Sequence, residues 1–240
     1  MKLPVGAGPR ACPLPGQPQG VAPTTATHDS NLPPNAEQRY TIPRLILASA
    51  SPRRQELLQK AGVAFTIAPS NISEAMLDGE TPQEYALRVA GEKALDVARR
   101  HLHSWVLGAD TIVEIDGEVL GKPRDKADGQ RMLRLLSGRT HRVMTAFVLI
   151  DEESQIRANQ IVTSSVTFKP LSDLQIHAYL ATGESFDKAG AYAVQGLGAS
   201  LVERIEGSYT NVVGLPIDEV LIALRIAGLL HSQEVGQEHD

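Results

Sequence analysis

The stretch Arg44-Leu-Ile-Leu-Ala-Ser-Ala-Ser-Pro-Arg-Arg-Gln-Glu-Leu-Leu58 decides how the fold of this 240-residue chain begins. Its apolar first part, 44–49, predicts a short buried strand. Ser51 suits a helix N-cap and Pro52 suits the first helical position, so a helix is predicted next, ending at Gly62. The free N–H groups and the positive dipole end of that helix would face the junction, which favours phosphate binding there.

The polar side chains of this junction have two interpretations. The hydroxyl of Ser49 and the guanidinium groups of Arg53 and Arg54 are good donors to phosphate oxygens. The alternative is a well-capped helix with two solvated arginines. The segment is not a P-loop, because it lacks the glycines and the Lys-Ser or Lys-Thr ending. Composition alone favours phosphate binding only slightly.

Alternating strand and helix patterns continue downstream and predict an α/β fold. Strands are predicted at 63–68, 105–115, 118–120, 142–150 and 156–168, and helices at 81–103, 125–137, 172–183 and 217–230. Asp116-Gly117 predicts a two-residue hairpin turn. A glycine-rich stretch, 188–214, separates the last two helices.

Proline marks the upstream boundary, because nine of the 15 prolines fall in the first 43 residues. We therefore expect a disordered extension at 1–43, a folded domain at 44–231 and a polar tail at 232–240. The extension lacks the apolar core of a secretory signal, and no apolar run reaches the roughly 18–20 residues of a membrane span. The single cysteine, Cys12, lies in the extension and fits a reducing compartment, so a cytoplasmic protein is expected.

Charge and aromatic content argue against a nucleic-acid-binding protein. From Arg44 onward, 20 basic residues face 26 acidic ones, and aromatics make up 4% of the chain. An acidic body with few aromatics offers neither a broad electrostatic surface for a nucleic-acid backbone nor a platform on which bases could stack.

Two charged residues interrupt apolar patterns. Asp110 shares a strand face with Val106 and Ile112, and a buried carboxylate is costly unless it is paired or binds a metal. Lys93 lies on the apolar stripe of the helix after 81, so it either extends out of the core or points into a cleft. A structural aspartate and an ordinary lysine remain the alternatives.

Three further residues are weaker candidates when taken alone. Lys122 follows the hairpin in Gly121-Lys122-Pro123, and Glu74 precedes the long helix. Gln195 stands among glycines, where its amide offers one donor and one acceptor to a base edge. The adjacent Gly-x-Gly is a weak match to a dinucleotide fingerprint.

These motifs, in this order, resemble the Maf family of nucleoside triphosphate pyrophosphatases from about Leu45 to Leu230. The resemblance rests on six ordered blocks, which are Ser49-Ala-Ser-Pro-Arg-Arg, Glu92-Lys-Ala, Ala109-Asp-Thr, Gly121-Lys-Pro, Leu136-Ser-Gly with His141 and Thr145, and Lys188-Ala-Gly-Ala-Tyr with Gln195-Gly and Gly207-Ser-Tyr-Thr-Asn-Val-Val-Gly-Leu-Pro216.

The resemblance implies a mixed, twisted sheet flanked by helices, like that of inosine triphosphatases, with two lobes around a deep cleft and, in many members, a homodimer. It implies Asp110 as proton acceptor and phosphate binding by the residues Ser49, Arg53, Arg54, Lys93 and Lys122. Arg53, Thr111 and Gln195 are similar to the branch that hydrolyses dTTP and UTP to the monophosphate and pyrophosphate. A Mg²⁺ or Mn²⁺ ion on Glu74 and Asp110 is expected, and Asp110 can be either base or ligand.

Two other functions remain open at this stage. One is the same hydrolysis of 7-methyl-GTP or of modified pyrimidine nucleotides, although the branch that acts on 7-methyl-GTP usually has Asp-Gln at Asp110-Thr111. The other is a nucleotide-binding regulator of cell division without catalysis, and Asp110, Lys93 and Lys122 count against it.

Overall fold

The computed structural model describes residues 45–230. The predicted extension at 1–43, with Cys12, and the predicted tail at 232–240 lie outside these residues. A seven-stranded mixed sheet flanked by helices confirms the predicted α/β class. Within 45–230, no helix combines the length and the apolar character needed to cross a bilayer.

The sheet has the strand order β2-β1-β3-β5-β6-β7, and β4 pairs with β3. β1 runs parallel to β2 and β3, and the remaining pairs are antiparallel. The strands are β1 Leu45–Leu47, β2 Thr66–Ile67, β3 Trp105–Ile115, β4 Glu118–Leu120, β5 Thr140–Ile150, β6 Ile156–Phe168 and β7 Val202–Glu206. The helices are α1 Pro52–Lys60, α2 Pro82–Ala98, α3 Lys126–Leu136, α4 Asp173–Ala181, α5 Tyr209–Val213 and α6 Ile217–Ile226, with 3-10 turns at Ala189–Ala191 and Gly196–Leu201.

Alternation along β3 decides which helix each of its side chains meets. Val106 and Ile112 pack with α2 on one face of the sheet. Leu107 and Ala109 pack with α1 and α6 on the opposite face. The far halves of β3, β5 and β6 pack instead with α3 and α4 in a separate apolar cluster. The core is thus divided along the length of the sheet, and the long strands connect its parts.

Three elements are shorter than predicted, and one stretch contains elements that were not predicted. α2 ends at Ala98 rather than near 103, because Ala98 is its last buried residue and Leu102 is 72% exposed. The second strand and the last helix are shorter than predicted, at Thr66–Ile67 and Ile217–Ile226. The glycine-rich stretch also contains β7 and α5, two elements of five residues each that are too short to show a period.

Candidate active site

A cleft of about 550 Å³ brings all nine predicted site residues together. They are Ser49, Arg53, Arg54, Glu74, Lys93, Asp110, Thr111, Lys122 and Gln195. A volume of this size suits a small-molecule ligand. Residues as far apart in the chain as Ser49 and Gln195 therefore line one site.

The spacing between α2 and β3 places Lys93 against Asp110. Gly108 on β3 has no side chain, and a Cβ there would lie 2.3 Å from the carbonyl oxygen of Ala90 and 2.8 Å from Cβ of Ala94. The helix backbone therefore rests directly on the strand. Asp110 is two residues further along the same face, and Lys93 is one turn from Ala90 on the stripe that meets it.

Lys93 bridges two of the carboxylates that line the cleft, those of Asp110 and Glu74. Its Nζ lies 2.7 Å from Oδ1 of Asp110 and 2.8 Å from Oε1 of Glu74. Lys93 and Asp110 are both buried, whereas the Glu74 side chain is 45% exposed. Lys93 therefore does not extend to solvent, and Asp110 has the charged partner that its burial requires.

Burial and charge act in opposite directions on the two carboxylates. Burial raises the pKa of Asp110, although Lys93 and Arg54 oppose the rise. Burial also raises the pKa of Glu74, but Lys93, Lys122 and Arg54 together outweigh it, and the net pKa is lowered. Glu74 is thus the stable anion of the pair, and Asp110 is the carboxylate better suited to accept a proton near neutral pH.

The β1–α1 junction presents donors to the cleft as the sequence predicts. Ser51 occupies the N-cap of α1, but its side chain makes no capping bond, and Pro52 opens the helix. Oγ of Ser49 accepts hydrogen bonds from the backbone N–H of Ser51 and from Nη1 of Arg54. Because that oxygen already accepts two bonds, its own proton is available to donate to an anion.

Arg54 donates most of its hydrogen bonds to acceptors within the protein. Its Nε donates to the carbonyl of Gly214 at 2.8 Å, and its Nη1 donates to the carbonyl of Ala109 at 2.9 Å and to Ser49. Its Nη2 donates to Oγ1 of Thr111 at 3.0 Å. Four of its five N–H groups are therefore used, which leaves one for a ligand.

Thr111 belongs to the same hydrogen-bond network. Its hydroxyl lies 2.9 Å from that of Thr145, which donates to the carbonyl of Asn211. Arg54 and Thr111 therefore join β3, β5 and the α5 segment behind the cleft wall.

Arg53, unlike Arg54, remains available to bind a ligand in the cleft. Its side chain is 28% exposed, and Nη1 makes a long contact of 3.7 Å with Asp187. Asp187 and its neighbour Lys188 also line the cleft. Sequence reasoning missed Asp187, because no spacing pattern connects it to Arg53.

A buried hydrogen bond fixes the segment that follows Lys188. Nε2 of His141 on β5 lies 2.7 Å from the hydroxyl of Tyr192, and both rings pack edge-on against Phe168. Burial lowers the pKa of His141 to about 4, so the imidazole is neutral. This contact anchors the backbone that leads to Gln195.

The residues of the cleft fit a divalent cation that is shared with a ligand. Within 45–230, no group of three or more His, Cys, Asp or Glu side chains is arranged to hold a metal. The bonds from Lys93 use one oxygen of each carboxylate, and Oδ2 of Asp110 and Oε2 of Glu74 have no hydrogen bond among the described residues. Mg²⁺ commonly takes one or two carboxylates and completes its shell with water and substrate phosphate.

The fold and the cleft are those of an α/β protein suited to binding a polyphosphate, with five basic side chains around a buried, paired carboxylate. The chain belongs to the Maf family, because the family model described as Maf-like protein matches residues 44–227.

The chain is also similar to curated proteins and to solved structures. The chain is 52% identical to a dTTP/UTP pyrophosphatase of Geotalea uraniireducens, over 78% of this chain and 96% of the relative. It is 49% identical to a dTTP/UTP pyrophosphatase of Clostridioides difficile, over 73% of this chain and 91% of the relative. The structure of a nucleoside-triphosphatase, dITP/XTP pyrophosphatase, from Mycobacterium abscessus matches 78% of this chain and 97% of its own, with 15% identity and a TM-score of 0.37.

Proposed function

We propose that this chain hydrolyses dTTP and UTP to the nucleoside monophosphate and pyrophosphate. The observation that carries the proposal is the Lys93–Asp110 pair in a cleft lined with basic side chains. The relatives that are about half identical to the chain are named for this activity. The residues of the pair and of the junction are those that such a reaction needs.

The phosphate chain would bind between the α1 junction and the lysines. Ser49 supplies a hydroxyl proton, the first turn of α1 supplies N–H groups, and Arg53 supplies a guanidinium. Lys122 is exposed beside Glu74 and adds positive charge on the other side. We assign Arg54 chiefly to holding Ser49 and Thr111 in place, with one N–H left for phosphate.

Asp110 is the proton acceptor of the proposed reaction. The oxygen of water attacks the α-phosphorus, the bond from that phosphorus to the α–β bridging oxygen breaks, and pyrophosphate leaves. The proton of the attacking water passes to Oδ2 of Asp110, since Oδ1 is bonded to Lys93. A raised pKa makes this carboxylate a better base at neutral pH than an ordinary aspartate.

Glu74 and Asp110 would hold the divalent cation. When bound, Mg²⁺ or Mn²⁺ neutralises phosphate charge and lowers the pKa of bound water. Lys93 keeps the two carboxylates close together despite their like charge. Because Oδ1 of Asp110 is bonded to Lys93, Oδ2 is the proton acceptor when Glu74 alone binds the cation and is a cation ligand in the alternative arrangement.

The pyrimidine ring of the nucleotide would lie against the apolar part of the cleft lining and against the amide of Gln195. Ile112, Val194 and Val212 belong to that part. The amide of Gln195 makes no hydrogen bond to the described residues, so it can pair with the carbonyl and N3–H edge of a pyrimidine. Thr111 would act by shaping the wall, because its hydroxyl is already bonded to Arg54 and Thr145.

A panel of triphosphates tests the proposal, with released pyrophosphate measured with and without Mg²⁺. The panel contains dTTP, UTP, dCTP, dATP, dGTP and 7-methyl-GTP, and it is repeated on Asp110→Asn. Preference for dTTP and UTP that depends on Asp110 is expected. Preference for 7-methyl-GTP would move the chain to the other branch, and tight binding without release would indicate a regulator.

A further inference from the structure

Glu184 lies outside the cleft lining but is bonded to the segment that carries Gln195. Its Oε2 accepts the backbone N–H of Leu197 at 3.0 Å, and its Oε1 accepts that of Gly198 at 3.1 Å. Oε1 also accepts the hydroxyl of Tyr179 at 3.2 Å. A charged carboxylate that accepts three hydrogen bonds is a strong anchor for a loop.

Tyr179 extends this anchor to the other side of Gln195. Its hydroxyl oxygen accepts the backbone N–H of Ala193 at 3.2 Å. The Tyr179–Glu184 pair therefore accepts hydrogen bonds from backbone N–H groups on both sides of Gln195. One donor lies two residues before Gln195, and the others lie two and three residues after it. Tyr179 is itself buried in the apolar cluster around α3 and α4, which gives the pair a rigid base.

The glycines after Gln195 are explained by the same pair. Gly196 has φ +64°, and a Cβ there would lie 2.8 Å from Oε2 of Glu184. At Gly198 a Cβ would lie 2.4 Å from the carbonyl oxygen of Ala193 and 2.8 Å from the hydroxyl of Tyr179. The Gly-x-Gly motif thus makes room for Glu184 and Tyr179, and it does not serve as a dinucleotide fingerprint.

We propose that Glu184 is a positioning residue for base selection, acting through the backbone on the amide of Gln195. The inference rests on the proposed function, in which Gln195 contacts the base. Loss of the anchor would let the Gln195 amide move further than its hydrogen bonds to the pyrimidine tolerate. The binding of pyrimidine nucleotides would therefore weaken most. The groups that act on phosphate, Lys93 and Asp110, lie on other elements and would be little affected.

The test compares kcat/KM for dTTP with kcat/KM for dATP in Glu184→Ala, Gln195→Ala and the double variant. We expect each single variant to lower the dTTP preference by about tenfold or more, mainly through the KM for dTTP. The double variant should lose no more of the dTTP preference than Gln195→Ala alone, because the two changes remove the same interaction. Glu203→Ala, an exposed glutamate on β7, is the matched control and should keep the preference.

Tyr179→Phe keeps the ring in the core and removes only the hydroxyl, so it tests the same anchor if Glu184→Ala fails to fold. An unchanged preference in Glu184→Ala or in Tyr179→Phe, with a lost preference in Gln195→Ala, would overturn the positioning role and leave the proposed function intact. An unchanged preference in Gln195→Ala would overturn base recognition by Gln195 and the positioning role with it. Equal losses on dTTP and dATP would show a purely structural role for Glu184.

Discussion

Nζ of Lys93 and Oδ1 of Asp110 lie 2.7 Å apart across the contact between α2 and β3. The same ammonium group contacts Glu74 at 2.8 Å, so one cation holds two carboxylates at the cleft. This group of three residues has one positive and two negative charges, so it carries one net negative charge at the partly exposed wall of the cleft. That surplus is what a divalent cation or an abstracted proton can neutralise.

Replacing Asp110 with asparagine keeps the shape of the side chain and removes its basicity. We expect kcat to fall by about 10²–10⁴-fold, the usual contribution of a positioned acid–base group. The measurement is pyrophosphate release at saturating dTTP, with circular dichroism to confirm folding. Asp128→Asn, a buried aspartate on α3 bonded to Arg124 and Arg131, is the control and should keep its turnover. A folded Asp110→Asn enzyme with near-normal turnover would contradict the assignment.

Replacing Lys93 with methionine removes the charge that lowers the pKa of Asp110. Without it that pKa rises further, and the base is protonated at a higher pH. We therefore expect the acid limb of the kcat/KM profile to move upward by about one to three pH units. Lys60→Met, an exposed lysine on α1, should leave the limb in place. A weaker enzyme whose acid limb has not moved would restrict Lys93 to phosphate binding.

Arg53 and Arg54 are neighbours in sequence, but we expect their substitution by lysine to have different effects on stability. Lysine at 54 cannot reproduce the four hydrogen bonds to Gly214, Ala109, Ser49 and Thr111, and each buried acceptor left alone costs roughly 1–3 kcal/mol. We expect Arg54→Lys to lower the free energy of unfolding by at least about 2 kcal/mol in urea.

Arg53→Lys is the matched comparison, since Arg53 is partly exposed and has only a long contact to Asp187. It should change the unfolding free energy by less than about 0.5 kcal/mol and raise the KM for triphosphate instead. Equal stability of the two variants would show that the network around Arg54 contributes little.

His141 predicts how stability depends on pH. Burial lowers its pKa from 6.5 to about 4, so the unfolded chain takes up a proton at this residue before the folded chain does. Its contribution is complete above pH 6.5 and is lost as the pH falls towards 4, with a total of about 3 kcal/mol. His141→Gln should flatten the dependence of the urea midpoint over this range. His177→Gln, an exposed histidine, should retain the wild-type slope, and an equal slope in both variants would refute the prediction.

The parts of the fold that could be predicted were those with a period or a cap. The Thr81 capping box and the Asp116-Gly117 turn appear where the sequence places them. Asp110 stood out because a charge within an apolar strand needs a partner, and alternation correctly put it on the face of Val106 and Ile112. The sequence left open whether Lys93 extends out of the core or points into a cleft, and the structure pairs it with Asp110.

The remaining features depend on contacts between residues that are distant in sequence. No local sequence pattern shows that Arg54 donates a hydrogen bond to the carbonyl of Gly214, or that Tyr192 is hydrogen-bonded to His141. The Glu184 anchor is similar, because nearly every residue has a backbone N–H group, and the Gly-x-Gly motif alone does not show which side chains it makes room for. Short elements such as β7 were missed because their stability comes from the neighbouring strand and not from their own pattern.

The missing side chain at Gly108 has a consequence for how the chemistry tolerates change. The distance between the ammonium and the carboxylate is set where two backbones touch, and not by how bulky residues fill the space around them. Core residues on either side of the sheet can therefore be exchanged for others of similar volume without altering the reactive geometry. We expect a single methyl group at 108 to act in the opposite way, since it would separate α2 from β3 and move the Lys93 ammonium away from the Asp110 carboxylate while both residues remain in the sequence.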